Sequence, residues 1–252
     1  MFRVLFILVL ITGFTSQHLQ AKEDQTPLRL IATHVPPYFN YAADGSVSGI
    51  GADILKAAGK ECGTQIELSN HTWARALRHA EMGHADAIAP LAKTNGRDKT
   101  YIFSEQPIFT LDMAVFTLTE NQKPISADLR ELYGKTIGTI RNVYISDAFE
   151  AAKKQNRFKL APRERYDAMA LSVARNRLYA FVGDRRMGEY GVSLQGLQDE
   201  IIASEQSLHM MPVYLAYSRK AGRTELYKKF DKCLTDTIAK NPQSGLQKAK
   251  AG

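Results

Sequence analysis

Apolar residues in this chain fall into short unbroken runs and into helically spaced sets, and the two kinds alternate. Leu28–Thr33 (LRLIAT) is a run of strand length. A Pro-aromatic loop and an Asp44-Gly45 turn signal follow. Ile50, Ile54, Ala57 and Ala58 then mark a helix ending near Cys62 and Gly63, with Asp53 in its first turn complementing the dipole. Gln65–Leu68 predicts a second strand. Trp73, Ala76, Leu77 and Ala80 recur at i, i+3, i+4 and i+7, one apolar helix face, and Gly83 supplies the stop. Ala85–Leu91 is a third run, interrupted only by Asp86 and Pro90. Strand and helix alternating in this way predict an α/β fold with a mostly parallel sheet.

A second series repeats the rhythm. Leu111–Leu118 predicts a strand, and the Pro124 region marks a boundary. Ser126–Tyr133 reads as a short helix capped by Ser126 and ended by Gly134. Lys135–Ile140 reads as a strand, Ser146–Lys154 as a helix capped by Ser146, and Lys159–Leu160 as a short strand. Tyr166–Ala174 is helical, Leu178–Val182 a strand ending at Gly183-Asp184, Pro212–Ser218 a long strand and Thr224–Ala239 an amphipathic helix. Two similar α/β units around one cleft accommodate this order, with 111–118 and 212–218 as the crossover strands. The chain would begin in lobe 1 (22–114), build lobe 2 (115–213) and return to lobe 1 (214–252).

Ligands of open α/β sheets bind outside the carboxyl ends of strands. Lys93, Thr94, Asn95 and Arg97 follow such an end, with donors suited to an anion. The planar fork of an arginine grips a carboxylate through two parallel bonds. A solvated surface arginine is the commoner fate of the residue type, so the surrounding pattern has to carry the functional reading.

Composition narrows the classes. Arg3, the apolar run Val4–Phe14 and the polar stretch to Ala21 read as a secretory signal over 1–21; the run is shorter than the roughly 20 residues needed to cross a bilayer. About 230 residues would remain, enough for one large domain or two of about 100. The chain is 44% hydrophobic and 23% charged, as an ordinary globular protein is. Its formal charge of +7 is spread along the chain, apart from a terminal lysine cluster that includes Lys248 and Lys250. The mild positive field favours anionic ligands, and export argues against nucleic acid as a partner. Cys62 and Cys233 would meet an oxidising compartment; a disulfide and two buried thiols both remain open.

Several residue types invite other chemistry. Histidines stand at 18, 34, 71, 79, 84 and 209; the spacing of His79 and His84 does not place them on one helix face, so no metal site is expected. His34 follows the first strand, where ligand contact and a solvated loop are both open. The Met210-Met211 pair reads as core. There is no nucleophile motif, phosphate-binding loop or dinucleotide fingerprint, no cofactor is expected, and Glu105 reads as an exposed acid.

Five segments, in order, resemble the periplasmic solute-binding proteins of family 3, the group that includes the polar amino-acid receptors of ABC importers. They are PPYFNYAADGSVSGIGADIL, WARALRHAEMGHADAIAPLAKTNGRDKTYIFSEQPIF, GKTIGTIRNVYISDAF, FVGD at 181–184 and PVYLAYSRKAG. The resemblance implies a two-lobed periplasmic binding fold (type II), a non-enzymatic monomer in the periplasm, and an inner-membrane ABC-importer permease as partner. It implies that Arg97, with Thr94 in the T-x-x-R loop, clamps a ligand carboxylate. Asp184 would accept a ligand ammonium, and Tyr38 or Phe39 would form an apolar wall.

The pattern also departs from an amino-acid receptor. Pro90, Leu91 and Ala92 stand where small hydroxyl residues are expected. Arg141-Asn142-Val143-Tyr144 stands where glycine and hydroxyl donors are expected; Arg141 would supply a second charge, and Tyr144 joins it in the ligand set. Trp73 and Arg75 would line the cleft as a stacking face and a donor, although Trp73 equally suits the core. These departures favour a small polar or anionic solute. The alternatives are an enzyme resembling cyclohexadienyl dehydratase and a sensory or orphan binding module.

Overall fold

The computed structural model describes residues 26–240; the expected signal segment and the terminal Lys248 and Lys250 lie outside them. The chain forms β1 (Leu28–Ala32), β2 (Asn40–Tyr41), β3 (Val47–Ser48), α1 (Ile50–Cys62), β4 (Ile66–Asn70), α2 (Trp73–Glu81) and β5 (Ala87–Ala92). A 3-10 turn at Arg97–Lys99 leads to β6 (Tyr101–Phe103) and the long β7 (Phe109–Leu118). Next come β8 (Thr136–Ile140), α3 (Asp147–Lys154), β9 (Lys159–Arg163), α4 (Tyr166–Ala174), β10 (Ala180–Asp184) and α5 (Arg185–Ser193). β11 (Ile201–Ala203), β12 (His209–Ser218) and α6 (Thr224–Lys240) complete it.

The main sheet runs β4-β1-β5-β12-β7-β10-β8-β9, with β1 parallel to β4 and β5, and β8 parallel to β9 and β10. Two strands connect these parallel groups. β7 pairs with β12 through Phe109–Met113 and with β10 through Met113–Thr117. β12 pairs with β7 through His209–Val213 and with β5 and β6 beyond it. Both crossovers start earlier than the apolar runs suggest, because Phe109 and His209 already pair although the residues around His209 are partly polar.

Similar turns feed the two crossovers. In Ser104-Glu105-Gln106 and Ser204-Glu205-Gln206 the serine hydroxyl donates to the glutamine carbonyl at 2.8 Å. The same hydroxyls accept the backbone N–H of Leu215 and Val115 at 3.2 Å, and the serine N–H groups donate back to the carbonyls of those residues. Each turn therefore fastens to the other crossover strand.

Pro90 lies in a central strand, where proline normally weakens the ladder. The register between β5 and β12 shifts at this point, between Tyr214 and Ala216, and pairing with β1 ends at Ala89. No ladder bond is required of Pro90, and Leu215 turns to Ser104 instead. Pro162, also unexpected in a strand, sits in β9 at the sheet edge, which extends that strand past Leu160.

Two expectations change. Residues 126–133 form turns and a 3-10 segment, Arg130–Leu132, rather than an α-helix. The Ser126 hydroxyl bonds to the carboxylates of Asp128 and Glu131 and accepts the Arg130 N–H, while Leu129 is left-handed at φ 61°. Local side-chain bonds of this kind compete with the helix. Conversely, α5 forms where no helix is expected. Its Gly188 and Gly191 allow close packing on Phe116 and Tyr166: a Cβ at Gly188 would come within 2.2 Å of the Phe116 ring.

α1 packs on α6 and is bonded to it by the disulfide Cys62–Cys233, which closes a sequence separation of 171 residues. Among the described residues no helix is long and apolar enough to cross a membrane.

Candidate functional site

The carboxyl ends of β1 and β5 on one side, and of β8, β9 and β10 on the other, carry the loops in which the sequence places its candidates. Tyr38 is fixed first. Its carbonyl accepts the N–H groups of Gly51 and Ala52 at the start of α1, and its ring stacks on Phe109 with centroids 4.2 Å apart. Gly49, at φ 109°, lets the chain pass so close that a Cβ would meet the Pro37 oxygen at 2.5 Å. Tyr38 is buried, and its hydroxyl donates to Asp184 Oδ2 at 3.4 Å. Phe39 is also buried, but against Gly51 and Phe109, so it belongs to the core and not to a cleft wall.

Asp184 ends β10 and caps α5, with Oδ1 accepting the Met187 N–H at 3.1 Å. Oδ2 accepts the Asp112 N–H at 3.0 Å as well as the Tyr38 hydroxyl. Among the described residues no cation lies within ion-pair distance of this carboxylate. Burial, and to a lesser extent the negative charge of Asp112, outweigh those hydrogen bonds and push Asp184 up to about 6. The same burial, with the charge of Asp184, pushes the Tyr38 phenol far above its ordinary range.

Arg97 lies in the 3-10 turn after β5, half-buried, with its N–H on the Thr94 carbonyl and Nη1 on the Ala92 carbonyl at 2.9 Å. Among the described residues it has no carboxylate partner, and burial holds its guanidinium below the ordinary arginine value. An open pocket of about 580 Å³ borders the same loop, lined by Lys93, Thr94, Asn95, Gly96, Asp98, Lys99 and Phe103. Lys93 lies over the Tyr214 ring at 3.9 Å.

Trp73 reaches across to the second group of loops: its half-buried indole N–H donates to the Asn142 carbonyl at 3.2 Å. Arg75 is exposed. Arg141 is exposed too and pairs with Glu164 at 3.2 Å, so the second charge expected from it is already balanced. Tyr144 donates to Asp147 at 2.8 Å, and its ring meets His209 edge-on. The structure thus brings Tyr38 to Asp184 and Trp73 to the Asn142 loop, while Phe39 lies in the core and Arg75 is exposed.

Sequence reasoning missed several neighbours. Arg165, just beyond β9, is paired with Asp167 and helps to hold the His34 imidazole below its usual pKa, second to burial. Arg185 bridges Asp112 of β7 at 2.6 Å and the Ser204 carbonyl at 2.8 Å, fastening α5 to both crossovers. Their position immediately after strands was the available signal. His71, His79 and His84 also come together, with ring centroids 4.8 Å and 5.5 Å apart in succession. The first pair is tilted by 35° and the second meets edge-on at 87°, and among the described residues no group of three is arranged to hold a metal ion.

Loops facing each other across a cleft, with two crossover strands joining the halves, define the two-lobed class of periplasmic binding proteins. Within that class the chain belongs to the bacterial extracellular solute-binding proteins, family 3, whose profile matches residues 30–248. It is similar to the probable amino-acid-binding protein YxeM of Bacillus subtilis (strain 168), with 20% identity over 236 residues, 91% of this chain and 86% of that protein. An ancestral arginine-binding protein bound to arginine matches with a TM-score of 0.73 and 20% identity, covering 86% of this chain and 94% of that one. The ancestral amino-acid-binding protein AncCDT-1, a precursor of cyclohexadienyl dehydratase, matches with a TM-score of 0.70 and 20% identity, covering 86% and 91%. At such identities the structural likeness carries the fold alone.

Proposed function

We propose that the protein captures a small polar or anionic solute, an amino acid or a related carboxylate, in the periplasm and delivers it unchanged to an ABC-importer permease. The observation that carries this reading is Arg97: a half-buried cation in the T-x-x-R loop, without a carboxylate partner among the described residues. A cation in that state favours an anionic ligand, and exclusion of water strengthens the attraction. Lobe 1 (22–114 and 214–252) and lobe 2 (115–213) would close by a hinge through β7 and β12, with Tyr38 and Trp73 meeting the opposite wall as they do here. The membership of the family and the amino-acid-binding name of its relative support the ligand class. The protein would work as a monomer.

A thermal-shift screen of amino acids, opines, polyamines and small carboxylates tests the reading, since a bound ligand raises stability by mass action. At least one class is expected to respond; silence throughout contradicts it. A second reading, a dehydratase, draws on the buried Asp184 carboxyl beside Tyr38, which burial pushes upward, since proton delivery to a leaving hydroxyl requires a protonated acid. Incubation with prephenate or arogenate separates the two, and the expected result is unchanged substrate.

A further inference from the structure

We propose that the end of the β8, β9 and β10 group remote from the cleft is a docking surface for an anionic phospholipid bilayer. The inference goes beyond the solute-binding reading and is independent of what the cleft holds.

Cations scattered along the sequence are gathered at this end. The strands enter side by side in the order β10-β8-β9, each by way of a left-handed turn: Asn176 at φ 54°, Gly134 at φ 73° and Asn156 at φ 54°. Backbone bonds tie these entries together. Gly134 N–H meets the Arg157 carbonyl at 2.7 Å, Lys159 N–H the Lys135 carbonyl at 2.8 Å, and Tyr179 N–H the Thr136 carbonyl at 3.0 Å. Lys135, Lys154, Arg157, Lys159, Arg175 and Arg177 stand in or beside the turns, and all six are exposed. Among the described residues none of them has an acid within ion-pair distance. Acids nearby are engaged or set apart. Glu150 pairs with Lys153, Asp128 with Arg130, and Glu131 accepts the Ser126 N–H and hydroxyl. Glu120, Asp199 and Glu200 lie to one side, where β7 ends and β11 begins.

Lys154 and Arg175 stand at the ends of α3 and α4, where a cation complements the helix dipole. The other four lie past the helix ends and have no such local reason. Adjacent strands are about 4.8 Å apart, so three strand entries span about the 10 Å screening length of 0.1 M salt, and their charges act together on an approaching surface. The amino ends of β1 and β5 are different, because there Arg29 and Arg223 share Asp86.

Three further features select a lipid surface over a protein. Lys135 lies over the Tyr179 ring at 4.8 Å and Arg157 over the Tyr133 ring at 5.5 Å. Tyrosines set among basic side chains suit the headgroup layer of a membrane. Among the described residues five of the six side chains make no hydrogen bond, and Arg157 reaches only Gln155. They are therefore not held in one geometry, which recognition of fixed acids on a protein favours. The large apolar side chains that are exposed, Met82, Tyr190, Leu194, Ile202 and Met210, all lie outside these turns, so the apolar centre of a protein interface is missing. The cleft lies at the carboxyl ends of the same strands, and a chain seated on a bilayer in this way keeps it open to solute.

Co-sedimentation of the full chain with vesicles tests this, using phosphatidylcholine alone and equal parts phosphatidylcholine and phosphatidylglycerol. Binding is expected only to the anionic vesicles in about 50 mM salt and is expected to be lost in about 500 mM. A variant carrying Lys135→Gln, Arg157→Gln, Lys159→Gln and Arg177→Gln is expected to bind them at least about tenfold more weakly. A control carrying Lys60→Gln, Lys220→Gln, Lys228→Gln and Lys232→Gln removes the same charge elsewhere and is expected to lose less than about threefold. Unchanged melting verifies the fold of both. Equal binding to the two kinds of vesicle, or equal weakening in the two variants, overturns the inference. Retention on immobilised polyglutamate without vesicle binding assigns the surface to an acidic protein and overturns it too. None of these outcomes bears on solute capture, which the ligand screen tests separately.

Discussion

Asp86 and Asp184 are equally inaccessible, at 0% and 1% exposure, and their surroundings treat them in opposite ways. Asp86 precedes β5 and accepts two side-chain bonds and a backbone N–H from Arg29, and a further bond at 3.0 Å from Arg223 just before α6. Burial alone would raise its pKa, but the bonds and charges of the two arginines win and hold it below the ordinary carboxylate range. Asp184, at the opposite end of its strand, has backbone and phenolic donors but, among the described residues, no cation within ion-pair distance, and burial wins. An ionised acid fully paired at the base of a strand is a fastening. An acid left without a counter-charge beside the cleft costs stability, and such sites are where function tends to reside.

The largest test of the contrast is Asp86→Ala. It leaves Arg29 and Arg223 without their shared anion and is expected to lower unfolding free energy by about 3–5 kcal/mol in urea titrations. A loss below about 1 kcal/mol would remove the fastening role.

The pH dependence comes next. The contribution of Asp86 is present above its unfolded value of 3.8 and fades as pH falls further. Asp184 runs the other way: the folded state binds its proton more tightly than the unfolded chain. Its contribution is therefore fullest below 3.8 and declines until pH passes about 6, by about 3 kcal/mol. Asp184→Asn keeps a helix-capping residue and should flatten that decline in melting curves from pH 4 to 7. A wild type equally stable across this window contradicts the assignment. The smallest expected effect belongs to Tyr38→Phe, which loses one hydrogen bond to a carboxylate, about 0.5–1.5 kcal/mol by urea unfolding.

The alternation of runs and helical sets made the parallel strands, the crossovers and most helices legible. What stayed hidden depends on distant partners. α5 is disguised by Gly188 and Gly191, whose reason for being small is the bulk of Phe116 and Tyr166 elsewhere in the chain. The Ser104 and Ser204 turns are alike in sequence, yet their bonding to the opposite crossover strands emerges only in three dimensions. In the site, residue types and order pointed to Arg97, while Tyr38 and Asp184 became candidates through what the family resemblance implies. They did not disclose that the last two bond to each other, because no local pattern records a contact between residues so far apart.

In the proposed function Arg97 is the group that holds the ligand anion. Once a responding carboxylate is found, its effect on melting should be measured for the wild type and for Arg97→Ala at the same concentration, about 100 times the wild-type Kd. The wild type is expected to gain about 2.7 kcal/mol by mass action and the variant nothing measurable. An equal gain in both proteins would contradict the assignment.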